Sequence, residues 1–369
     1  MLKRLYIHNY KCLVNFEINF DKDISLFLGA NGSGKSTVFE VLTILRKIII
    51  NEEKLEYLFE RNNKPRGFEN QHIENIHFEL EFEVNDSIYK YILLVETFFF
   101  SIKEESLYLN NDLLITSKEK ETTRYRNENI FSLPFGNNEK TLFEPSRSSM
   151  KRYASHIKDF FQYFNSLFIA RINSYEMFST INKTNTEIKT DFSNYAEWFS
   201  YLNESYRKEL LVLENNLPEI LVGFEVFRIQ QAGRSKILQL GFKNSSNEKD
   251  IFYYDFDELS EGQKTLIALY TLIYCTPDNS IICIDEPENF LALPEIQPWF
   301  DELYDQCAER NLQVILISHH PKIINFLAND SGYWFSREHN LTKIQKIVPE
   351  NESGLSIAEL VDRGWIYEQ

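Results

Sequence analysis

A glycine-rich run near the N-terminus limits the possible folds of this chain more than any other feature. It reads Gly-Ala-Asn-Gly-Ser-Gly-Lys-Ser over residues 29–36. The preceding segment, 24–28, is almost entirely apolar, as expected of a strand that is buried on both faces. From Lys35 onward the apolar residues recur at helical spacing. The order strand, glycine-rich loop, helix predicts an α/β fold that binds a nucleotide phosphate at the helix N-terminus.

Each residue type in this loop has a physical reason to be there. Glycines let successive backbone N–H groups turn inward around an anion, and the helix adds its positive end. We expect Lys35 to reach the β- and γ-phosphates, and the Ser36 hydroxyl to bind magnesium, with Thr37 behind it. The predicted nucleotide-binding residues of the loop are Asn31, Gly32, Ser33, Gly34, Lys35, Ser36 and Thr37.

A second candidate cluster follows another apolar run in the C-terminal half. Residues 281–284 read Ile-Ile-Cys-Ile and are followed by Asp285 and Glu286. A buried parallel strand that ends in two acids brings carboxylates to the edge of its sheet. We expect Asp285 to bind magnesium and Glu286 to orient and activate the attacking water.

The charge of the chain limits its partners. The formal net charge is −16, whereas nucleic-acid binders usually carry a basic face, so nucleic acid is a possible but not a favoured partner. Few residues could form a local basic face, and a solvated structural role is favoured for them: Arg124, Arg126, Arg147, Lys151 and Arg152.

Cysteine usage and the N-terminus indicate a compartment. The four cysteines form neither a CxxC motif nor a Cys/His pair, which is typical of a reducing environment without disulfides or a zinc site. The first residues alternate like a strand and do not resemble a signal peptide. The apolar run at 41–50 is interrupted by Arg46 and Lys47 and is too short to span a membrane. We therefore expect a cytoplasmic protein with no membrane partner.

The sequence predicts a single domain over residues 1–369 with three parts. Residues 1–100 hold the phosphate loop and an antiparallel β meander, indicated by alternating strands at 76–84 and 88–95. Residues 101–220 are an insertion and a helical region. Within it we expect a surface loop at 116–129 and one amphipathic helix at 195–216. Residues 221–369 begin with two strands and carry the remaining motifs.

A third motif, Leu-Ser-Glu-Gly-Gln-Lys at residues 259–264, precedes a helical run at 265–274. It resembles the signature motif of ABC-type ATPases, with Glu261 where transporters usually have glycine. The resemblance implies that Ser260 and Gly262 contact ATP in trans, at the phosphate loop of a second subunit. It therefore implies a homodimer with ATP at the interface.

A fourth motif completes the resemblance. The buried strand predicted at 314–318 ends in His319-His320-Pro321, and His319 aligns with the switch histidine of the family, which contacts the γ-phosphate. The four motifs imply an α/β P-loop NTPase of ABC-ATPase type, with a mixed central sheet, an antiparallel β meander and a helical lobe or insertion. They also imply ATP and Mg²⁺ as cofactors and hydrolysis of ATP, with Glu286 and His319 as catalytic residues.

Two further features point to a branch of the family. The opening Asn9-Tyr10-Lys11 resembles the Asn-Phe-Lys/Arg start of the SMC, RecF and OLD branch, which makes Lys11 a candidate nucleotide contact. The chain shows no long coiled coil, and only residues 320–369 follow the switch histidine. It thus resembles the stand-alone AAA-15/AAA-21, PtuA-like ATPases of prokaryotic anti-phage defence. For the glutamine loop, Gln71 and the loop after Ile172 both stay candidates.

Three functions are compatible with this resemblance. The favoured one is an ATPase that senses infection and gates a separately encoded effector, a nuclease or a toxin. The second is an ATP-clamped scaffold that sequesters a toxin, with incidental turnover. The third is a RecF-like DNA-repair ATPase, against which the negative charge and the missing coiled-coil arms count.

Overall fold

The structure is a computed structural model, and it describes residues 1–50, 55–59, 75–97, 100–118, 121–126, 129–134, 155–244, 247–347 and 355–363. The chain divides into two compact units. Unit 1 comprises Met1–Leu167 and Pro321–Gln369, and unit 2 comprises Phe168–His320. The predicted single domain, with parts at 1–100, 101–220 and 221–369, stays a prediction.

The strands, in chain order, are β1 (Leu2–His8), β2 (Phe16–Asn19), β3 (Ile24–Gly29), β4 (Asn75–Val84), β5 (Ser87–Glu96), β6 (Ser101–Leu109), β7 (Asp112–Lys118), β8 (Glu121–Arg126), β9 (Asn129–Pro134), β10 (Leu167–Ala170), β11 (Thr180–Ile181), β12 (Phe224–Ala232), β13 (Ser235–Asn244), β14 (Asn247–Asp255), β15 (Ile281–Asp285), β16 (Gln313–Ile317), β17 (Gly332–Glu338) and β18 (Leu341–Lys346).

The helices are α1 (Lys35–Ile49), α2 (Leu55–Leu58), α3 (Ser155–Asn165), α4 (Tyr195–Ser205), α5 (Arg207–Asn216), α6 (Glu261–Cys275), α7 (Leu293–Arg310), α8 (Pro321–Ser331) and α9 (Ile357–Asp362).

The meander of unit 1 is larger than predicted. Its strands form one antiparallel sheet in the order β2-β1-β4-β5-β6-β7-β8-β9. In β4 every second residue is buried, including Phe78, Leu80 and Phe82, so one face of the sheet packs on the core. The surface loop predicted at 116–129 is wrong, because β7, β8 and the start of β9 occupy this segment. The segment Glu121–Arg126 reads Glu-Thr-Thr-Arg-Tyr-Arg and has no apolar alternation, so its strand is specified by pairing with β7 and β9.

A second group of strands in unit 1 carries the phosphate loop. β3 pairs in parallel with β17, and β17 pairs antiparallel with β18, which gives the mixed pairing that the sequence predicted. Every residue of β3 is buried. Phe27 of β3 and Phe335 of β17 pack with their ring centroids 4.8 Å apart. Helix α1 begins directly after the loop and buries one face that includes Val38, Val41 and Leu45.

In unit 2, β15 and β16 form a parallel pair, and all residues of both strands are buried. A separate antiparallel sheet has the order β11-β13-β12, with β14 also paired to β13. The sequence did not predict β14. The single helix predicted at 195–216 is also wrong, because the backbone of Tyr206 (φ −130°, ψ 43°) leaves the helical region and separates α4 from α5.

The four cysteines are free and buried. Burial raises the pKa of the Cys275 thiol, and it does the same for Cys283 on β15, so both behave as apolar side chains. Within the described part of the chain, none of the helices is long and apolar enough to cross a membrane.

Candidate functional site

The phosphate loop of unit 1 requires glycine at specific positions. Gly29, Gly32 and Gly34 have φ values of 136°, 78° and 109°, which side chains rarely adopt. A Cβ atom on Gly29 would lie 2.1 Å from the carbonyl oxygen of Phe335, and one on Gly34 would lie 2.4 Å from Thr342 Oγ1. At Gly29 and Gly34, the close approach of β17 and β18 therefore excludes a side chain in addition to the backbone angles.

The charged end of the loop is built for an anion. Lys35 is only 6% exposed, and its Nζ atom donates to the carbonyl oxygens of Gly29 at 2.6 Å and Ala30 at 3.0 Å. Helix α1 has no acid in its first turn, and its N-cap Gly34 provides no side-chain cap. The positive end of the α1 dipole and a buried ammonium group are thus placed at one loop, which is the donor set that a nucleotide phosphate requires.

The exposure of the other loop residues agrees with a phosphate-binding role for the loop. Asn31, Gly32 and Ser36 are exposed, and Thr37 is half-buried. Ser33 is buried, and no described residue makes a hydrogen bond with its Oγ atom. An orphaned buried hydroxyl inside the loop is consistent with a polar ligand.

Lys11 has a partner within unit 1. Its ammonium nitrogen lies 2.5 Å and 2.6 Å from the two carboxylate oxygens of Glu40 on α1, and the Tyr10 hydroxyl donates to the same carboxylate at 2.7 Å. Lys11 has a positive φ of 49°. These contacts join the segment after β1 to α1. A nucleotide contact by Lys11 stays a prediction.

The β17–β18 hairpin contributes loop contacts that the sequence reasoning missed. Thr342 Oγ1 donates to the Ser33 carbonyl at 2.7 Å, and the Thr342 backbone N–H donates to the Cys12 carbonyl at 2.9 Å. The Arg337 guanidinium donates to the Gly32 carbonyl at 3.1 Å. No motif marks these residues, because their role depends on contacts with a loop about three hundred positions earlier in the chain.

In unit 2, Asp285 ends β15 and is 8% exposed. Glu286 follows with φ 55°, a conformation that is uncommon for residues other than glycine. Its backbone N–H donates to the Ile317 carbonyl at 2.8 Å, and its Oε2 accepts a hydrogen bond from Asn289 at 2.9 Å. Strained backbone that is held by hydrogen bonds is characteristic of functional sites, which supports the predicted roles of the two acids.

Arg171 is a second residue that the sequence reasoning missed. Its Nε atom lies 3.9 Å from Asp285 Oδ2, and its side chain is 72% exposed. The sequence feature that could have identified Arg171 is its position as a basic residue directly after the short apolar strand β10. At this distance, and with the Arg171 side chain largely in solvent, the pair adds little to stability, but it places a positive charge beside the predicted magnesium ligand.

Glu288 connects the tips of the two parallel strands of unit 2. Its Oε1 accepts hydrogen bonds from Ser318 Oγ at 2.9 Å and from the His319 backbone N–H at 2.8 Å. The His319 side chain is exposed, as a contact to a bound nucleotide requires. Glu288 is the second acid after β15, and the sequence reasoning gave it no role.

The signature motif lies in the same unit. Ser260 is the N-cap of α6: its Oγ accepts from the Gln263 backbone N–H at 3.3 Å, and the Gln263 side chain accepts from the Ser260 N–H at 3.0 Å. A Cβ atom on Gly262 would lie 2.9 Å from the carbonyl oxygen of Phe290. Gly262 thus lets the first turn of α6 pack against the segment that follows Glu286.

Each unit thus gathers part of the predicted site. Unit 1 holds the phosphate loop and Lys11, whereas unit 2 holds Asp285, Glu286, His319, Ser260 and Gly262. Among the described residues, no group of three His, Cys, Asp or Glu side chains could hold a metal ion by itself. Magnesium that is shared with nucleotide phosphates needs only one or two protein ligands, and each predicted ligand, the Ser36 hydroxyl of unit 1 and the Asp285 carboxylate of unit 2, is an oxygen donor of the type that this ion prefers.

Several predicted residues fall outside the described structure. They are Gln71, Arg147, Lys151 and Arg152. Of Arg124 and Arg126, on β8, the structure describes the backbone only.

Residues 24–325 match the sequence profile of the AAA_21 family, which is described as "AAA domain, putative AbiEii toxin, Type IV TA system". This match spans the phosphate loop, the signature motif, the Asp285-Glu286 pair and His319. The chain belongs to this family. Its AAA_21 membership confirms the predicted resemblance to ABC-type ATPases of the SMC/RecF branch.

Solved structures show the same fold. The AAA_21 chain is similar to an SMC head domain from Thermotoga maritima, with a TM-score of 0.51, 15% identity and coverage of 94% of this chain and 99% of that one. It is also similar to an SMC head bound to the C-winged helix domain of ScpA, with a TM-score of 0.58, 14% identity and coverage of 95% of this chain and 98% of that one. The predicted fold class, a P-loop ABC-type ATPase with mixed and antiparallel sheets, is confirmed.

A curated relative shares a shorter segment. The chain is 32% identical over 92 residues to the DNA double-strand break repair Rad50 ATPase of Methanocaldococcus jannaschii. The matching segment spans 25% of this chain but only 8% of the length of that protein.

Proposed function

We propose that this protein binds Mg-ATP and hydrolyses it to ADP and phosphate. The observation that carries the proposal is the phosphate loop. Its three left-handed glycines, the buried Lys35 ammonium and the N-terminus of α1 form an anion site that begins at the end of a buried strand. Family membership supports the same conclusion.

The proposed chemistry assigns one task to each residue. Lys35 binds the β- and γ-phosphates, while Ser36 and Asp285 hold the magnesium ion. Magnesium, when bound, neutralises negative charge that develops on the phosphates. Glu286 orients the attacking water and accepts its proton. His319 donates a hydrogen bond towards the γ-phosphate.

The signature motif supports a homodimer as the active form. In this proposal Ser260 and the N-terminus of α6 form a second anion site, at which the helix dipole favours a phosphate and Glu261 of the first turn is paired with Lys264 at 3.2 Å. In the proposed head-to-tail dimer this site receives the γ-phosphate of ATP that is bound at the partner's Lys35. The ATP molecules then lie at the interface.

We further propose that this cycle gates a separately encoded effector, a nuclease or a toxin, in anti-phage defence in the cytoplasm. The family description, which refers to a putative toxin and a type IV toxin–antitoxin system, supports a partnership of this kind. The free, buried cysteines are consistent with a reducing compartment.

Two alternatives make different predictions. An ATP-clamped scaffold that sequesters a toxin would bind its partner with ATP but would not require turnover for release. A RecF-like repair ATPase would bind DNA, and the short segment shared with a Rad50 repair ATPase gives this alternative its support. The net charge of −16 counts against it.

Replacing Lys35 with alanine tests the core of the proposal. The phosphates lose charge-assisted hydrogen bonds of about 1.5–3 kcal/mol each, so ATP binding and hydrolysis should both be lost. Lys343→Ala on β18 is a suitable control, because it removes a lysine from the same unit at an exposed position. If Lys35→Ala hydrolysed ATP at the wild-type rate, the site assignment would be wrong.

A further inference from the structure

Arg337 places a second positive charge at the phosphate loop. It lies near the end of β17, and its Nη1 atom donates to the carbonyl oxygen of Gly32 at 3.1 Å. Gly32 itself approaches this guanidinium, since a Cβ atom on the glycine would lie 3.9 Å from Nη1. The contact joins two distant parts of unit 1.

The position of Arg337 is set by its partner strand. Arg337 is paired with Thr342 in the β17–β18 register, so the two side chains lie on the same face of the hairpin. Thr342 is buried and donates to the Ser33 carbonyl at 2.7 Å. Arg337 and Thr342 therefore hold adjacent carbonyl groups of the phosphate loop, Gly32 and Ser33.

The charge of Arg337 is not neutralised within the described structure. Its side chain is exposed, and the described residues provide no carboxylate within ion-pair distance of its guanidinium. One N–H group serves the Gly32 carbonyl, which leaves further donors on the same planar group. The remaining donors of this guanidinium, which lies beside the phosphate loop, are of the type with which arginine recognises phosphates.

We propose that Arg337 is a second cation of the nucleotide site and binds the phosphate chain of ATP together with Lys35. This inference rests on the proposed function, because it requires that the loop binds a nucleotide. The β17–β18 hairpin then forms one wall of the nucleotide site in addition to supporting the loop.

The charge of the ligand gives the proposal a specific consequence. The attraction of a cation for a phosphate chain increases with the number of negative charges. Arg337 should therefore favour a triphosphate over a diphosphate. A residue that only supports the Gly32 carbonyl would affect both nucleotides equally, because both use the same loop.

Measurements of nucleotide affinity in the absence of turnover test whether Arg337 favours a triphosphate over a diphosphate. Wild type and Arg337→Gln are titrated with a fluorescent nucleotide, which is then displaced by the non-hydrolysable β,γ-imido analogue of ATP or by ADP. The control is Lys343→Gln, which removes a charge one position along the same hairpin on the opposite face. The nucleotide-free unfolding midpoint of each variant reports folding.

We expect Arg337→Gln to weaken binding of the ATP analogue by about tenfold or more, the effect of one charge-assisted hydrogen bond, and to weaken binding of ADP by a smaller factor. Lys343→Gln should bind both like wild type. Equal weakening of both nucleotides in Arg337→Gln, wild-type affinity, or an equal loss in Lys343→Gln would each overturn the role of Arg337. Failure of the wild-type protein to bind either nucleotide would instead overturn the proposed function.

Discussion

The backbone N–H of His319 donates a hydrogen bond to Glu288 Oε1 over 2.8 Å. The same oxygen accepts the Ser318 hydroxyl at 2.9 Å. Glu288 follows β15 and His319 follows β16, so one carboxylate fixes the end of the strand that carries the predicted switch histidine. Two hydrogen bonds thus connect the segment that carries Glu286 and Glu288 to the backbone that positions His319.

Replacing Glu288 with alanine should reduce ATP turnover by about tenfold or more while ATP binding is retained, because small displacements of catalytic groups are costly. It should also lower the free energy of unfolding by about 1–3 kcal/mol. Glu288→Gln should behave nearly like wild type, since its amide oxygen can accept both hydrogen bonds. Chemical denaturation and phosphate release measure the two effects, with the exposed Glu309→Ala as control. A glutamine variant as defective as the alanine variant would contradict this role.

Glu286→Gln should retain ATP binding and slow hydrolysis by about 10²–10⁴-fold, the usual contribution of a positioned general base. The amide preserves the shape of the side chain but removes its charge and basicity. ATP should then trap the proposed dimer, which light scattering would detect as an increase in mass. Unchanged hydrolysis would exclude Glu286 as the base. A nucleotide-free sample that is shown to be monomeric is the necessary reference for the trapping experiment.

Gly34→Ala should abolish nucleotide binding. The added Cβ would lie 2.4 Å from Thr342 Oγ1 at a residue with φ 109°, so the loop has to move. Gly233→Ala is the matched control, because it also has a positive φ, 62°, but no described atom lies within 4 Å of its Cβ position. The control should lose only about 1 kcal/mol of stability from backbone strain and bind ATP normally. Calorimetric titration with ATP compares the two variants, and normal binding by Gly34→Ala would contradict the loop geometry.

Ser260→Arg tests the head-to-tail dimer. Each subunit should still bind ATP at its own Lys35. The arginine at the N-terminus of α6 should, however, occupy the position at which the γ-phosphate of the other subunit's ATP would bind, so the dimer cannot close. Because Ser260 also caps α6, the variant should lose about 0.5–2 kcal/mol of stability, which thermal unfolding measures. Ser260→Ala separates the two effects, since it removes the cap without adding bulk.

Mixing Ser260→Arg subunits with Lys35→Ala subunits should restore part of the ATPase activity, although each variant alone is inactive. In a mixed dimer, one composite site carries both changes and the other carries neither. A pull-down with two different tags confirms subunit exchange. If exchange occurs and activity stays at zero, cysteines are placed at positions 260 and 33 and tested for a crosslink between subunits. A crosslink between subunits would indicate that both sites must be active for turnover. Its absence would indicate that the motif acts in cis.

Some elements were predictable because their signal is local. The phosphate loop is identified by glycines, lysine and serine within eight consecutive residues, and β15 by an apolar run that ends in two acids. Other elements were not. Helices α4 and α5 share an apolar pattern that runs through Tyr206, and only the backbone angles at Tyr206 separate them.

The sequence by itself determined the family, the phosphate loop and the candidate residues for binding phosphate and activating water, since these follow from contiguous motifs whose chemistry is intrinsic. Only the tertiary structure decided which residues support them. Arg337 reaches Gly32 across 305 positions of sequence, and Glu288 reaches His319 across 31. Contacts of this kind depend on strand register and on the close approach of β17 and β18 to the loop. No local pattern of residue types encodes such an approach, because it arises from the packing of elements that are distant in the chain.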